Sequence, residues 1–146
     1  MDPVSRREFW DILTSLHTQG VTIVVTTPYM DEAERCSRVG LMYRGRLIEC
    51  DTPERIRGRI PGQVLEFLPG DRHRARTILH HVPGVSEVQS FGELLHVFVE
   101  DLASGEAAIH KALGEAGISI SAMRPIEPRM EEAFISLIRR QEEAGK

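Results

Sequence analysis

The side chains here that could do chemistry are six histidines, two cysteines and the hydroxyl-bearing stretch Thr26-Thr27-Pro28-Tyr29. A metal needs ligands whose spacing lets them converge. His80 and His81 are adjacent, so on a helix they point about 100° apart and do not form the i, i+4 pair of helical zinc sites. His73 and His80 could share a helix face, but Cys36 and Cys50 fall into no ligand spacing with them. No metal site is expected. A serine nucleophile would be announced by a pattern such as G-x-S-x-G, and a triphosphate cradle by G-x-x-x-x-G-K-[ST]; neither occurs. The chain alone is therefore expected to hold no catalytic residue and no cofactor.

The elements that would position these residues follow from periodicity. Phe9, Ile12, Leu13 and Leu16 make one apolar stripe, which predicts a helix over 5–19 with Ser5 as N-cap, Glu8 as its capping-box partner and Gly20 as its stop. The β-branched run 21–27 barely alternates, which predicts a parallel strand buried on both faces, ended by Pro28. A short helix is expected over 30–37. Strands follow at 39–43 and 46–50 around an Arg44-Gly45 turn, and Pro53 opens another helix. Pro61-Gly62 closes this part.

Beyond it the order is regular: strand 63–68, helix 72–81, strands 85–90 and 93–100 joined at Phe91-Gly92, helix 104–116, strand 118–123. In that last strand Ile118, Ile120 and Ala122 share a face. The order β-α-β-β-α-β is the split βαβ, or ferredoxin-like, arrangement. A last helix is expected over 128–143. The fold class expected is an α/β portion (1–61) followed by a small α+β ferredoxin-like domain (62–146).

Composition narrows the partners. A net charge of −4 gives no general attraction to nucleic acid. Arg55, Arg57 and Arg59, and the basic run 72–76, read as solvated helix faces. RNA binding by a sheet needs exposed aromatics; aromatics are 5% of the chain, and Phe67, Phe91 and Phe98 suit core or turn. No apolar stretch approaches the ~20 residues of a membrane span, and two free thiols fit a reducing compartment.

Three segments carry a family resemblance. Asp2-Pro3 with the basic amphipathic helix after it resembles the D-loop of ABC ATPases. The run 21–27 into Pro28-Tyr29-Met30-Asp31-Glu32-Ala33-Glu34 resembles the switch-histidine loop and its helix. Arg44-Gly45-Arg46-Leu47-Ile48-Glu49-Cys50-Asp51-Thr52-Pro53-Glu54 resembles the hairpin and helix that close the family's core. Met130-Glu131-Glu132-Ala133-Phe134 is similar to the last helix of the accessory domain in ABC-2-type exporters.

The resemblance implies a truncated ATP-binding subunit, cut just before the D-loop with Met1 at an aliphatic position. The phosphate loop, Q-loop, signature motif and Walker B acids would lie upstream. It implies ATP and Mg in the full-length parent, an ABC-2-type membrane permease as partner, and self-association or a second ATPase subunit. Its implied place is the cytoplasm, peripheral to the membrane. Asp2 matches the D-loop aspartate. Pro28 stands where the family has its histidine, and Thr27 or Tyr29 would be weak nucleotide-facing substitutes. A second reading stays open: a regulatory module binding a small ligand or partner through the ferredoxin-like domain. Without neighbours for 21–27, residues 1–60 are expected to be poorly stable alone, or rescued by self-association.

Overall fold

The computed structural model describes residues 2–146; Met1 lies outside them. The first helix, α1 (Pro3–Thr18), starts earlier than expected. Its N-cap is Asp2, whose Oδ1 accepts from the backbone N–H of Val4 and Ser5 at 3.0 Å each. Ser5 is not the cap: it sits inside the first turn, and its hydroxyl donates to Asp2 Oδ2 at 2.8 Å. An aspartate immediately before a proline at the first helical position is the stronger start signal. The helix ends as expected at Gly20, which takes φ +88°. Gly20 N–H then reaches His17 O, and Val21 N–H reaches Leu16 O, closing a Schellman motif.

The expected buried strand at 21–27 does not form. The segment is extended, but none of the strands among the described residues pairs with it, and Val24 is 90% exposed. β-branched composition favours an extended backbone, but a strand also needs a ladder partner. The α1 stripe is uncovered for the same reason: Ile12 is 60% exposed, Phe9 and Leu16 are exposed too, and Trp10 alone on the helix is buried. Helix α2 (Met30–Ala33) is one turn, shorter than the expected 30–37.

β1 (Val39–Tyr43) and β2 (Arg46–Asp51) form an antiparallel hairpin. Its turn residues, Arg44 and Gly45, take φ +49° and +74°, the left-handed pair that matches strand twist in tight hairpins. Thr52 caps α3 (Pro53–Arg57), with Pro53 in the first turn. The larger sheet is built from β3 (Gln63–Pro69), β4 (Val85–Phe91), β5 (Leu94–Val99) and β6 (Ile120–Ile126) in the order β4-β5-β3-β6, antiparallel throughout. The helices α4 (Arg72–Leu79) and α5 (Leu102–Glu115) lie between strands in sequence. Helix α6 (Met130–Ala144) follows β6.

Alternation along the central strands sorts the core into two clusters. Leu65, Phe67, Leu95, Val97 and Val99 face α4 and α5, meeting Ala75, Leu79, Ile109 and Leu113. Val64 and Phe98 face the other way, onto Met130 and Ala133 of α6 and onto Ala33, Val39, Leu41, Ile56 and Ile60. The second cluster therefore joins residues on both sides of position 61. Each large apolar side chain so buried stabilises the fold by roughly 1.5–3 kcal/mol. Ala122 does not share the inner face with Ile118 and Ile120. It takes φ +54° where the β3–β6 register slips, and Met123 turns inward instead.

Two measurements check this packing. Early protease cuts should fall within 19–29, where the backbone has no ladder; a first cut inside β3–β6 would contradict it. Gly105 sits where a Cβ would come within 2.7 Å of Val99 side-chain atoms. Gly105→Ala should lower the unfolding free energy by about 1–3 kcal/mol in urea titrations, the usual range for overpacking.

Candidate functional site

The resemblance directs attention to Asp2, Thr27, Pro28 and Tyr29. Asp2 is the exposed cap just described. Hydrogen bonds from the Ser5 backbone and hydroxyl hold its carboxyl below the ordinary aspartate value. Thr27 donates a short hydrogen bond from its hydroxyl to Glu32 Oε2. The same Thr27 oxygen accepts from Tyr29 N–H at 3.1 Å. Pro28, between them, is exposed. Thr27 and Tyr29 are thus joined locally, while among the described residues no hydrogen bond links Asp2 to any of the three.

The organising side chain is one the sequence reading did not single out. Glu32, on α2, gathers three partners from two other segments. Its Oε1 accepts from Arg6 Nε at 3.0 Å and, at the longer distance of 3.5 Å, from Trp10 Nε1, both on α1. Its Oε2 takes Thr27. Arg6 also reaches Asp31 at 3.2 Å, and its guanidinium lies 5.1 Å from the Tyr29 ring centroid. The hydrogen bond from Thr27 brings the Glu32 carboxyl below the ordinary glutamate value; burial opposes this, and Arg6 and Trp10 reinforce it. In return Arg6 is raised, first by its hydrogen bond to Glu32. The only sequence signal was a pair of acids, Asp31-Glu32, opening a helix while Arg6-Arg7 sat on another. Nothing local said that they meet.

Beside this clamp lies a concavity of about 460 Å³ lined by Arg6, Arg7, Arg35, Asp11, Asp31 and Trp10. Arg35 lies over the Trp10 ring at 5.7 Å. The lining offers cations and carboxylates in near balance and no cysteine, serine or histidine nucleophile. These residues on their own do not fit a magnesium triphosphate. Thr27 spends its hydroxyl on Glu32, Pro28 has neither a polar side chain nor a backbone N–H, and Asp2 would repel phosphate. Among the described residues no three histidine, cysteine, aspartate or glutamate side chains group to hold a metal ion. Among the described residues no helix is long and apolar enough to cross a membrane.

Similarity to known proteins adds what the geometry leaves open. The chain is 51% identical over 59 residues to the probable multidrug ABC transporter ATP-binding protein YbhF of Escherichia coli strain K12; that match covers 40% of the chain and 10% of that protein. It is 32% identical over 145 residues to the Nod factor export ATP-binding protein I of Rhizobium etli, covering 98% of the chain and 43% of the relative. Its homologues are ABC-transporter ATP-binding proteins. A third, the daunorubicin resistance ATP-binding protein DrrA2 of Streptomyces coeruleorubidus, is 25% identical over 142 residues, which is 94% of the chain and 44% of that protein. The chain spans less than half the length of each of these ABC-transporter relatives. No protein-family model matches it.

The clamp can be tested through Trp10, the chain's single tryptophan. Glu32→Ala leaves Arg6 and Thr27 without their acceptor and should cost about 1–3 kcal/mol, with a red shift of tryptophan emission. Because the folded Glu32 carboxyl lies below its unfolded value, its stabilisation is present above about pH 4.3 and is lost as pH falls through the depressed folded value. The acid-induced emission change should therefore be missing in Glu32→Ala.

Proposed function

We propose that the chain is the C-terminal part of the ATP-binding subunit of an ABC-2-type export transporter: the D-loop, a degenerate switch loop, the end of the ATPase core, and an accessory domain. The observation that carries this reading is similarity along nearly the whole chain to a Nod factor export and a daunorubicin resistance ATP-binding protein, each more than twice as long as the match. The uncovered α1 stripe and the unpaired 21–27 segment support it, since both are surfaces that a larger α/β core would cover. In this reading the preceding part of the ATPase supplies the strands that flank 21–27 and the phosphate loop. The division near residue 61 separates that core from a ferredoxin-like domain, a reading supported by the β-α-β-β-α-β order and the β4-β5-β3-β6 sheet.

The full-length parent would bind ATP with Mg, pair with a second ATPase subunit, and drive an ABC-2-type permease from the cytoplasmic face of the membrane. Asp2 would act as the D-loop aspartate across that pair. Pro28 would stand at the switch position without a donor for the terminal phosphate, so this site would turn over slowly. Thr27 is a poor substitute, because its hydroxyl already serves the Glu32 clamp. Tyr29, exposed beside it, and Thr26, exposed before it, are the remaining hydroxyls near the loop.

In the full-length protein, Pro28→His should raise the steady-state ATPase rate by about tenfold or more, a modest return against the effect of a single transition-state hydrogen bond. An unchanged rate would argue against a degenerate switch loop. Co-purification with a membrane permease tests the transport assignment separately.

A further inference from the structure

Away from the Glu32 clamp, a polar row crosses the larger sheet, buried at His96 and open to solvent at Arg124. The register sets Gln89 of β4, His96 of β5, Glu66 of β3 and Arg124 of β6 side by side. Helix α6 lies over this row and adds Glu132. The His96 side chain is 3% exposed and that of Glu132 is 2% exposed. His96 Nε2 is 2.9 Å from Glu66 Oε2, and Nδ1 is 3.0 Å from Glu132 Oε1. The Nδ1 approach is an ion-pair contact off the line of a good hydrogen bond, and among the described residues Nδ1 has no other partner.

We infer that His96 is a proton-controlled latch, tightening the hold of α6 on the sheet while its ring carries both protons. The reason is geometric. A neutral imidazole has one N–H and one lone pair, so one of the two carboxylates would face a lone pair at about 3 Å in a site too buried for solvent to screen it well. The imidazolium turns a proton and positive charge towards both. The carboxylates sit at opposite ring nitrogens, so they cannot share one metal ion with the ring.

The surrounding groups are set for the charged ring. Arg124 holds the other Glu66 oxygen at 2.8–2.9 Å. Glu132 Oε2 accepts from Arg129 N–H at 2.9 Å, capping α6. Gln89 Nε2 donates to Glu87 Oε1 at 2.7 Å and more distantly to Glu132 O at 3.4 Å, and Arg139 of α6 lies 3.5 Å from Glu87. Phe91 stacks on the imidazole with centroids 5.2 Å apart. With His96 protonated, two cations (His96, Arg124) face two carboxylates; losing the proton leaves one negative charge uncompensated in a buried site. Burial alone would push His96 down, but Glu132 and Glu66 outweigh it and hold the ring above the ordinary histidine value. Burial would likewise push both carboxyls up; His96 first, with Arg124 at Glu66 and backbone N–H groups at Glu132, brings each below the ordinary range.

Helix α6 also carries the latch's effect to residues 30–60. Met130 N–H donates to Glu34 Oε1 at 3.0 Å, Arg140 donates to Arg59 O at 3.2 Å, and Tyr43 Oη donates to Glu142 Oε1 at 2.6 Å. With His96 raised and the carboxyls lowered, the latch is strongest between the two titrations. It is lost as pH rises through the His96 value.

The test is an NMR titration of the histidine rings of the whole chain from pH 5 to 9.5, with hydrogen exchange of the α6 amides corrected for hydroxide catalysis. His96 should stay doubly protonated beyond the ordinary value of about 6.5, and α6 protection should fall with the same midpoint. Glu66→Gln should move both midpoints down together by about one pH unit or more, and His96→Gln should abolish the step in α6 protection. A ring already neutral at pH 6 would overturn the inference. So would α6 protection that ignores the ring's titration, or an unchanged step in His96→Gln. If His96→Gln does not fold, the wild-type and Glu66→Gln titrations still decide.

Discussion

The pairing register of β3 with β5 is the constraint on which the larger sheet depends. Once Glu66 stands opposite His96, Val64 stands opposite Phe98 and Leu65 opposite Val97. The two faces of the sheet are then assigned. A slip of one residue would exchange the two apolar sets between the faces and put Glu66 among the aliphatics facing α4 and α5. The charged pair contributes little by area, but it favours this register over a slipped one, because Glu66 is the one carboxylate that β3 can set beside His96. In a strand as deeply buried as β5, an unpaired polar side chain would be expensive.

A second acid plays a similar part outside the sheet. Glu32 ties α1, the extended 21–27 segment and α2 with a single carboxylate, where apolar packing is thin and Trp10 is the one buried residue of α1. Helix α1 is thus held by polar contacts and its own caps while its apolar stripe faces outward. On the proposed reading, the apolar partner of this helix is another part of a longer ATP-binding protein.

The sequence was most legible where short-range chemistry decides. Arg44-Gly45, Pro53 and Gly20 each demanded one backbone geometry and received it. The alternating strands from residue 63 onward announced their order because each places one face in a core. It was least legible where distant partners decide. The β-branched run at 21–27 specified an extended backbone but could not specify a neighbour. Ala122 gave no warning of a positive φ, because the bulge answers the β3–β6 register and not alanine's own preference. His96 looked like one polar residue in an apolar strand; its meaning depends on Glu66 and Glu132, which hairpin geometry and the crossing of α6 bring to it. Glu32 was hidden for the same reason.

The placement of α6 also orders the assembly of the chain. The cluster facing α4 and α5 draws on residues from Leu65 to Ile118 and contains nothing from α6. It can close as soon as those elements have left the ribosome. The opposite cluster needs Met130 and Ala133 to cover side chains as early as Ala33. Residues 33–60 therefore cannot complete their core until the helix after the last strand arrives. During synthesis the two faces of one sheet are dry at different times, and the late face is the one that binds the two parts of the chain together.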